Sequence, residues 1–172
     1  VARAVADAGS YVIRLPRGHY FLTLGPLAVS GSVNLTLEPL SQSDGPDAVA
    51  IHGNNSTRLF SISGAASFYL KRIALVDGYH SGYFGAAINQ DSTGSVTVRG
   101  AYLGGNHSRT GAAILRTGSS GRLRIEQTQF ENNTADPGSG ASVGGAVYAA
   151  GAAEVLIDGS TFKNNDSIGD NL

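Results

Sequence analysis

The sequence predicts an all-β chain wound as a right-handed, single-stranded parallel β-helix, a solenoid of about six to seven rungs. Three observations predict it. Four ungapped stretches of eleven residues share one pattern: FYLKRIALVDG (68 to 78), VTVRGAYLGGN (96 to 106), LRIEQTQFENN (123 to 133) and VLIDGSTFKNN (155 to 165). Their starts at 68, 96, 123 and 155 are separated by 28, 27 and 32 residues, a beat that suits one turn of a coil. The third observation is compositional: 24 Gly and only 15% charged residues describe many tight turns and few solvated helices, while 41% hydrophobic residues over 172 suffice for one continuous core.

Within each unit the first, third and eighth positions are apolar: Phe68, Val96, Leu123 and Val155; then Leu70, Val98, Ile125 and Ile157; then Leu75, Leu103, Phe130 and Phe162. Alternation at this scale marks strands, and no hairpin dipeptides are placed to reverse them, so successive units read as parallel rungs stacked at about 4.8 Å. A second element recurs on the same beat, FGAAI (84 to 88), TGAAI (110 to 114) and GGAVY (144 to 148), in which small residues precede one apolar anchor. The longest interval holds ADPGSGASV (135 to 143), whose Asp-Pro, Gly and Ser content marks a surface loop. Residues 67–172 therefore form the regular rungs of a single domain covering 1–172. Residues 11–66 carry looser opening rungs in YVIRL, VNLTL, AVAIHG and RLFSIS. Residues 1–10, with VARAVADAG, have helical spacing and read as a short N-terminal helical cap.

The eighth-position side chains Leu75, Leu103, Phe130 and Phe162 point inward and stack, each aromatic ring burying on the order of 150 Å². The residue three places later is Gly78, Asn106, Asn133 and Asn165 in turn. Asn tolerates left-handed backbone angles and suits the turn. Its amide can also bond the neighbouring rung, so Asn106, Asn133 and Asn165 are expected to form an interior ladder that pairs turn backbone, worth about 1–3 kcal/mol for each group otherwise left bare.

GGAVY followed by FKNN, and GAAI before LGGN and again before FENN, resemble the paired GGA-I/L/V/Y and FxxN repeats of the chlamydial polymorphic outer membrane proteins. The N-terminal rungs, YVIRLPRGHYFLT through VAIHGNNSTRLFSIS, resemble the wider pectin-lyase-like β-helix superfamily, so the resemblance covers about residues 11 to 168. Leu75 to Gly78 and Leu103 to Asn106 depart from FxxN. The resemblance implies the β-helix fold, and hosts that range from adhesins and surface fibres to polysaccharide lyases and hydrolases. It also implies where a lyase site would lie, with acids for Ca²⁺ and a basic residue on one outward face. Arg99, Glu126 and Asp158, in the outward file Lys71, Arg99, Glu126, Asp158, are the catalytic candidates. Read from the residues, the same file is an exposed charge ladder in which Arg99 neighbours Glu126.

Other chemistry is thinly represented. Twelve basic and thirteen acidic residues without a run of either sign leave no stripe for nucleic acid. Zero Cys removes disulfides and thiolate sites, His19, His52, His80 and His107 are scattered in loops, and neither GxSxG nor GK[ST] occurs, so neither metal nor cofactor is expected. His80 and His107, 27 residues apart, would sit on adjacent rungs. The outward file Tyr69, Thr97, Arg124, Leu156 lacks the regular hydroxyls of an ice-binding face. Tyr69, Tyr79, Tyr83, Phe84 and Tyr102 gather towards one side as a sugar-stacking or protein-contact patch. Of six N-x-S/T sequons, Asn34, Asn54, Asn55 and Asn132 are expected outward as N-glycosylation acceptors, and Asn106 and Asn165 inward.

These readings converge on a non-enzymatic extracellular module, structural or adhesive, of a larger cell-surface or fibre-forming protein. Its expected partners are proteins or glycans and, through end-to-end self-assembly, copies of itself, with neither nucleic acid nor membrane contacted by this segment. The absence of an initiating Met marks a processed part of a longer chain, and no apolar run reaches the roughly 18 residues of a membrane helix. The alternatives are a polysaccharide-acting enzyme of the same fold and a non-catalytic carbohydrate-binding module.

Overall fold

The computed structural model describes residues 8–136, 138, 142–152 and 154–169. They coil through about six turns in which every strand pairing is parallel. The first turn holds β1 (Gly9–Leu15), β2 (Gly18–Phe21) and β3 (Leu27–Val29), and the second β4 (Val33–Pro39), β5 (Val49–His52) and β6 (Phe60–Gly64), with a 3₁₀ turn at Pro46–Ala48. The third has β7 (Ser67–Lys71), β8 (Ala74–Val76) and β9 (Ile88–Ser92), and the fourth β10 (Val96–Arg99), β11 (Tyr102–Gly104), β12 (His107–Ser108) and β13 (Ile114–Arg116). The fifth has β14 (Arg122–Glu126), β15 (Gln129–Glu131), β16 (Thr134–Ala135) and β17 (Val147–Ala149), and the sixth β18 (Glu154–Asp158), β19 (Thr161–Lys163) and β20 (Asp166–Ser167). Three walls result, β1-β4-β7-β10-β14-β18, β2-β5-β8-β11-β15-β19 and β3-β6-β9-β13-β17, with a narrow corner ladder β12-β16-β20.

The expected register holds through all four units, pairing Phe68, Val96, Leu123 and Val155 in one file and Leu75, Leu103, Phe130 and Phe162 in another. Phe130 and Phe162 lie 4.7 Å apart with planes 3° from parallel. Phe130 is 1% exposed, whereas Phe162 is 46% exposed, because no described rung covers it. The cap expected over 1–10 falls largely on residues 1–7, outside those described, and Gly9 and Ser10 already belong to β1.

The asparagine ladder is continuous. Asn106 Nδ2 donates to Asn133 Oδ1 at 2.9 Å and Asn133 Nδ2 to Asn165 Oδ1 at 2.7 Å, while each amide also donates to a carbonyl of an earlier turn, Leu75, Leu103 and Phe130 respectively. The backbone N–H of Gly78, Asn106 and Asn133 each donates to the Oδ1 one turn on. Gly78 begins the file because a Cβ there would stand 2.7 Å from Asn106 Oδ1 and 2.6 Å from the Ala86 carbonyl, which accounts for this departure from FxxN.

Two details differ from expectation. The left-handed backbone lies one residue before each ladder position, at Asp77, Gly105, Asn132 and Asn164, so the ladder asparagines keep ordinary angles and work through their amides alone. In the second recurring element, Ile88 and Ile114 pair with Val147 rather than Tyr148, so VGGAV (143 to 147) is the true match. A one-residue slip moves a strand side chain to the opposite face, and Tyr148 pairs with Leu115 instead. On this third wall a fully buried Arg116 reaches the carbonyls of Gly94 and Ser120 and so ties down the turn that leads into β14.

Candidate functional site

The outward file of the first wall runs Arg14, Glu38, Lys71, Arg99, Glu126, Asp158, as the pairings require. Five of its six charges pair within the file, and Asp158 makes no ion pair among the described residues. Glu38 takes Arg14 at 3.0 Å and Lys71 at 3.1 Å, and although burial pushes its carboxyl up, these two cations hold it below its ordinary value. Glu126 takes Arg124 at 2.6 Å and Arg99 at 3.7 Å. Asp158 follows in register, so two carboxylates one strand spacing apart, with no third acid joining them among the described residues, make a poor cage for a cation that takes six to eight oxygens. The arrangement is a charge ladder along the wall.

The histidines are grouped differently from their sequence positions. His80 and His107 are on adjacent turns, with the His80 backbone N–H donating to the His107 carbonyl, but the rings diverge: His107 stacks on Tyr79 at 5.5 Å and His80 forms a T-shaped pair with Phe84 at 4.9 Å. On the second wall His19 Nδ1 lies 2.8 Å from His52 Nε2, and His52 Nδ1 lies 3.3 Å from Asp77 Oδ2. The His19 and His52 centroids are 5.1 Å apart, and their facing nitrogens lie within hydrogen-bond distance.

The expected aromatic patch is smaller than its five members. Tyr69 lies on the first wall beneath Lys71, and Tyr102 lies half-buried on the second, where burial and then Glu131 push its phenol up. Tyr79, Tyr83 and Phe84 remain, all exposed, in the segment between β8 and β9. Two residues that sequence reasoning missed join them from adjacent turns: Arg58 lies 4.9 Å from the Phe84 centroid and Arg109 lies 5.4 Å from that of Tyr83. Backbone bonds hold the segment in place. The Tyr79 N–H donates to Thr57 O, that of Arg109 to Gly82 O, and that of Gly82 to His80 Nδ1. Since Nδ1 accepts, His80 is neutral, and burial followed by the Arg58 charge lowers its pKa. Such a group favours the folded state above the unfolded pKa of about 6.5 and loses that advantage as pH falls from there through its lower folded value. The thermal midpoint is therefore expected to drop slightly between pH 7 and 5.5, and less in His80→Asn, whose side-chain oxygen can still accept from Gly82.

Both ends of the described coil expose core side chains. At the β1 end an apolar cavity of about 700 Å³ is lined by Ile13, Leu15, Tyr20, Leu22, Leu27 and Phe60, the interior of the first turn, which no described rung covers. The sequons sort by side-chain direction: Asn34, Asn54, Asn55 and Asn132 are exposed, Asn106 is fully buried, and the Asn165 amide is committed to Phe130 O. Expression through a secretory pathway with glycopeptide mass spectrometry is expected to find glycan among the first four and bare Asn106 and Asn165.

Comparison of the chain with protein-family models, with curated proteins and with solved structures gives no match. The fold and surface define a class: a parallel β-solenoid with a self-neutralised charge ladder on one wall and an exposed aromatic and cationic face at the turn between the second and third walls. No described helix is long and apolar enough to cross a membrane.

Proposed function

We propose that the chain is a non-enzymatic, extracellular β-helix module of a larger surface or fibre-forming protein, pectin-lyase-like in its coil and similar to the chlamydial polymorphic membrane proteins in its repeats, and that it works by adhesion. One observation carries this reading. The residue types that could do acid–base chemistry, Arg99, Glu126 and Asp158, form a file in which Arg99 is paired with Glu126, whereas Tyr79, Tyr83 and Phe84 stand exposed beside two guanidiniums. Exposed aromatic side chains with arginine are the composition of contact surfaces. Stacking of one coil end on another supplies a second mode of association. Its register would continue Asp158 onto Arg14 and Phe162 towards Tyr20, setting opposite charges and apolar faces together.

Adhesion tests the reading directly. Beads coated with the chain are expected to hold to cell layers or extracellular-matrix proteins, and beads carrying Tyr79→Ser, Tyr83→Ser and Phe84→Ser together to release. Turnover of an acidic polysaccharide with Ca²⁺, lost in Glu126→Ala and Asp158→Ala, would replace this reading with an enzymatic one.

A further inference from the structure

The charges at this face point beyond general adhesion. Seven of the described cations sit on carboxylates. Arg72 and Arg116 are spent on the backbone carbonyls of Gln42, Gly94 and Ser120. Among the described residues only Arg58 and Arg109 have neither kind of partner, and both belong to the aromatic face. Arg58 is half-buried against Phe84, and burial lowers its pKa with no anion to offset the effect. A guanidinium part-removed from water beside a ring gains most from a carboxylate, which its planar fork takes by two parallel hydrogen bonds.

Resting on the adhesive reading above, we propose that Arg58 and Arg109, with Tyr79, Tyr83 and Phe84, form a docking face for a protein segment bearing paired acidic side chains. The composition of the loop selects a protein partner. Residues 79 to 84 read Tyr-His-Ser-Gly-Tyr-Phe, in which tyrosines supply rigid amphipathic area at small entropic cost and Ser and Gly adapt to the partner's backbone. One side of each ring is already occupied, Tyr79 by His107, Tyr83 by Arg109 and Phe84 by Arg58. Side chains inserting among the rings fit this better than a pyranose laid flat across them. The aromatic residues then supply the apolar contact, and the two arginines fix orientation and exclude neutral or basic partners.

The test is selection of a phage-displayed random dodecapeptide library on the immobilised chain, followed by affinity measurement of the enriched synthetic peptides. Enriched sequences are expected to carry paired Asp or Glu beside an apolar residue. Their affinity should weaken with added salt and fall about tenfold or more in the Arg58→Gln, Arg109→Gln double variant and in Tyr83→Ser, with Arg58→Lys, Arg109→Lys in between. Unchanged circular dichroism and denaturation midpoints would show that these variants fold. Enrichment of neutral peptides, no enrichment, or acidic peptides that bind the glutamine double variant equally well would overturn the proposal. So would binding of polygalacturonate or heparin that the same double variant abolishes, since the face would then belong to a glycan. If beads coated with the glutamine double variant still adhere to cells, this proposal falls and the adhesive reading stands; if wild-type beads never adhere, the adhesive reading falls by itself.

Discussion

Phe130→Ala is expected to lower the unfolding free energy by about 3–5 kcal/mol, the range for emptying a fully buried aromatic site. At roughly 2–4 °C per kcal/mol for a chain of this size, the thermal midpoint should fall by on the order of 10 °C. The ring is 1% exposed, stacks on Phe162 at 4.7 Å, and belongs to a file that includes Leu103 and Leu75. In a solenoid each rung is held chiefly by its neighbours, so a cavity in the fifth turn weakens two interfaces together. Phe162→Ala is the internal control. With 46% of that side chain already in water and only one described rung beside it, about half the loss is expected. Equal losses in the two variants, read by urea denaturation, would show that the file does not act as a shared core.

This file could be read from the sequence because three constraints coincide in it. Alternation at period two fixes which side chains face inward, the eleven-residue unit has no internal insertion, and the beat of 28 and 27 residues leaves one register between units. Where the constraint loosens, the reading slips. The GGAVY match fails by one residue because the preceding loop lengthens the interval to 32, and Val147 and Tyr148 are both apolar enough to serve as the anchor. Likewise Asn132 and Asn133 are chemically identical, so composition cannot say which takes the left-handed angle and which turns its amide inward; the backbone geometry assigns the first role to Asn132 and the second to Asn133.

The exposed face was legible only in its contiguous part. Tyr79, Tyr83 and Phe84 sit within six residues and can be grouped by eye, but Arg58 and Arg109 reach them from adjacent turns through loops of unequal length, outside the repeating unit. Periodicity predicts the neighbour of a strand residue and gives no register for a corner segment. The contact between His19 and His52 escaped for a related reason: it pairs β2 with β5, where the rungs follow the repeat loosely, and Phe21 lying on His52 at 4.6 Å completes a cluster that no spacing announces.

Asn133→Ala should cost as much as the loss of Phe130, by a different route. The substitution removes the acceptor for both the backbone N–H and the side-chain amide of Asn106, and the donor to the Leu103 carbonyl. The Asn106 N–H and the Leu103 carbonyl would lose this partner outright and the Asn106 amide would keep only Leu75 O, at about 1–3 kcal/mol for each bared group before relaxation and without strict additivity, so a loss of about 3–5 kcal/mol is expected. Asn133→Asp separates hydrogen bonding from packing. A carboxylate of the same shape would face Leu103 O and Asn165 Oδ1, both acceptors, and buried without a cation it would titrate above its unfolded pKa of about 3.9. Its folded form is favoured when protonated, so relative to wild type this variant should be least impaired near pH 4 and lose ground as pH rises towards 7. Gly78 ends the file without a side chain, so Asn106→Ala leaves the Gly78 N–H and the Leu75 carbonyl bare but spares the bond between Asn133 and Asn165, and a smaller loss is expected. A flat pH profile for Asn133→Asp, or a greater loss at Asn106 than at Asn133, would contradict a ladder whose strength rises with the number of rungs it links.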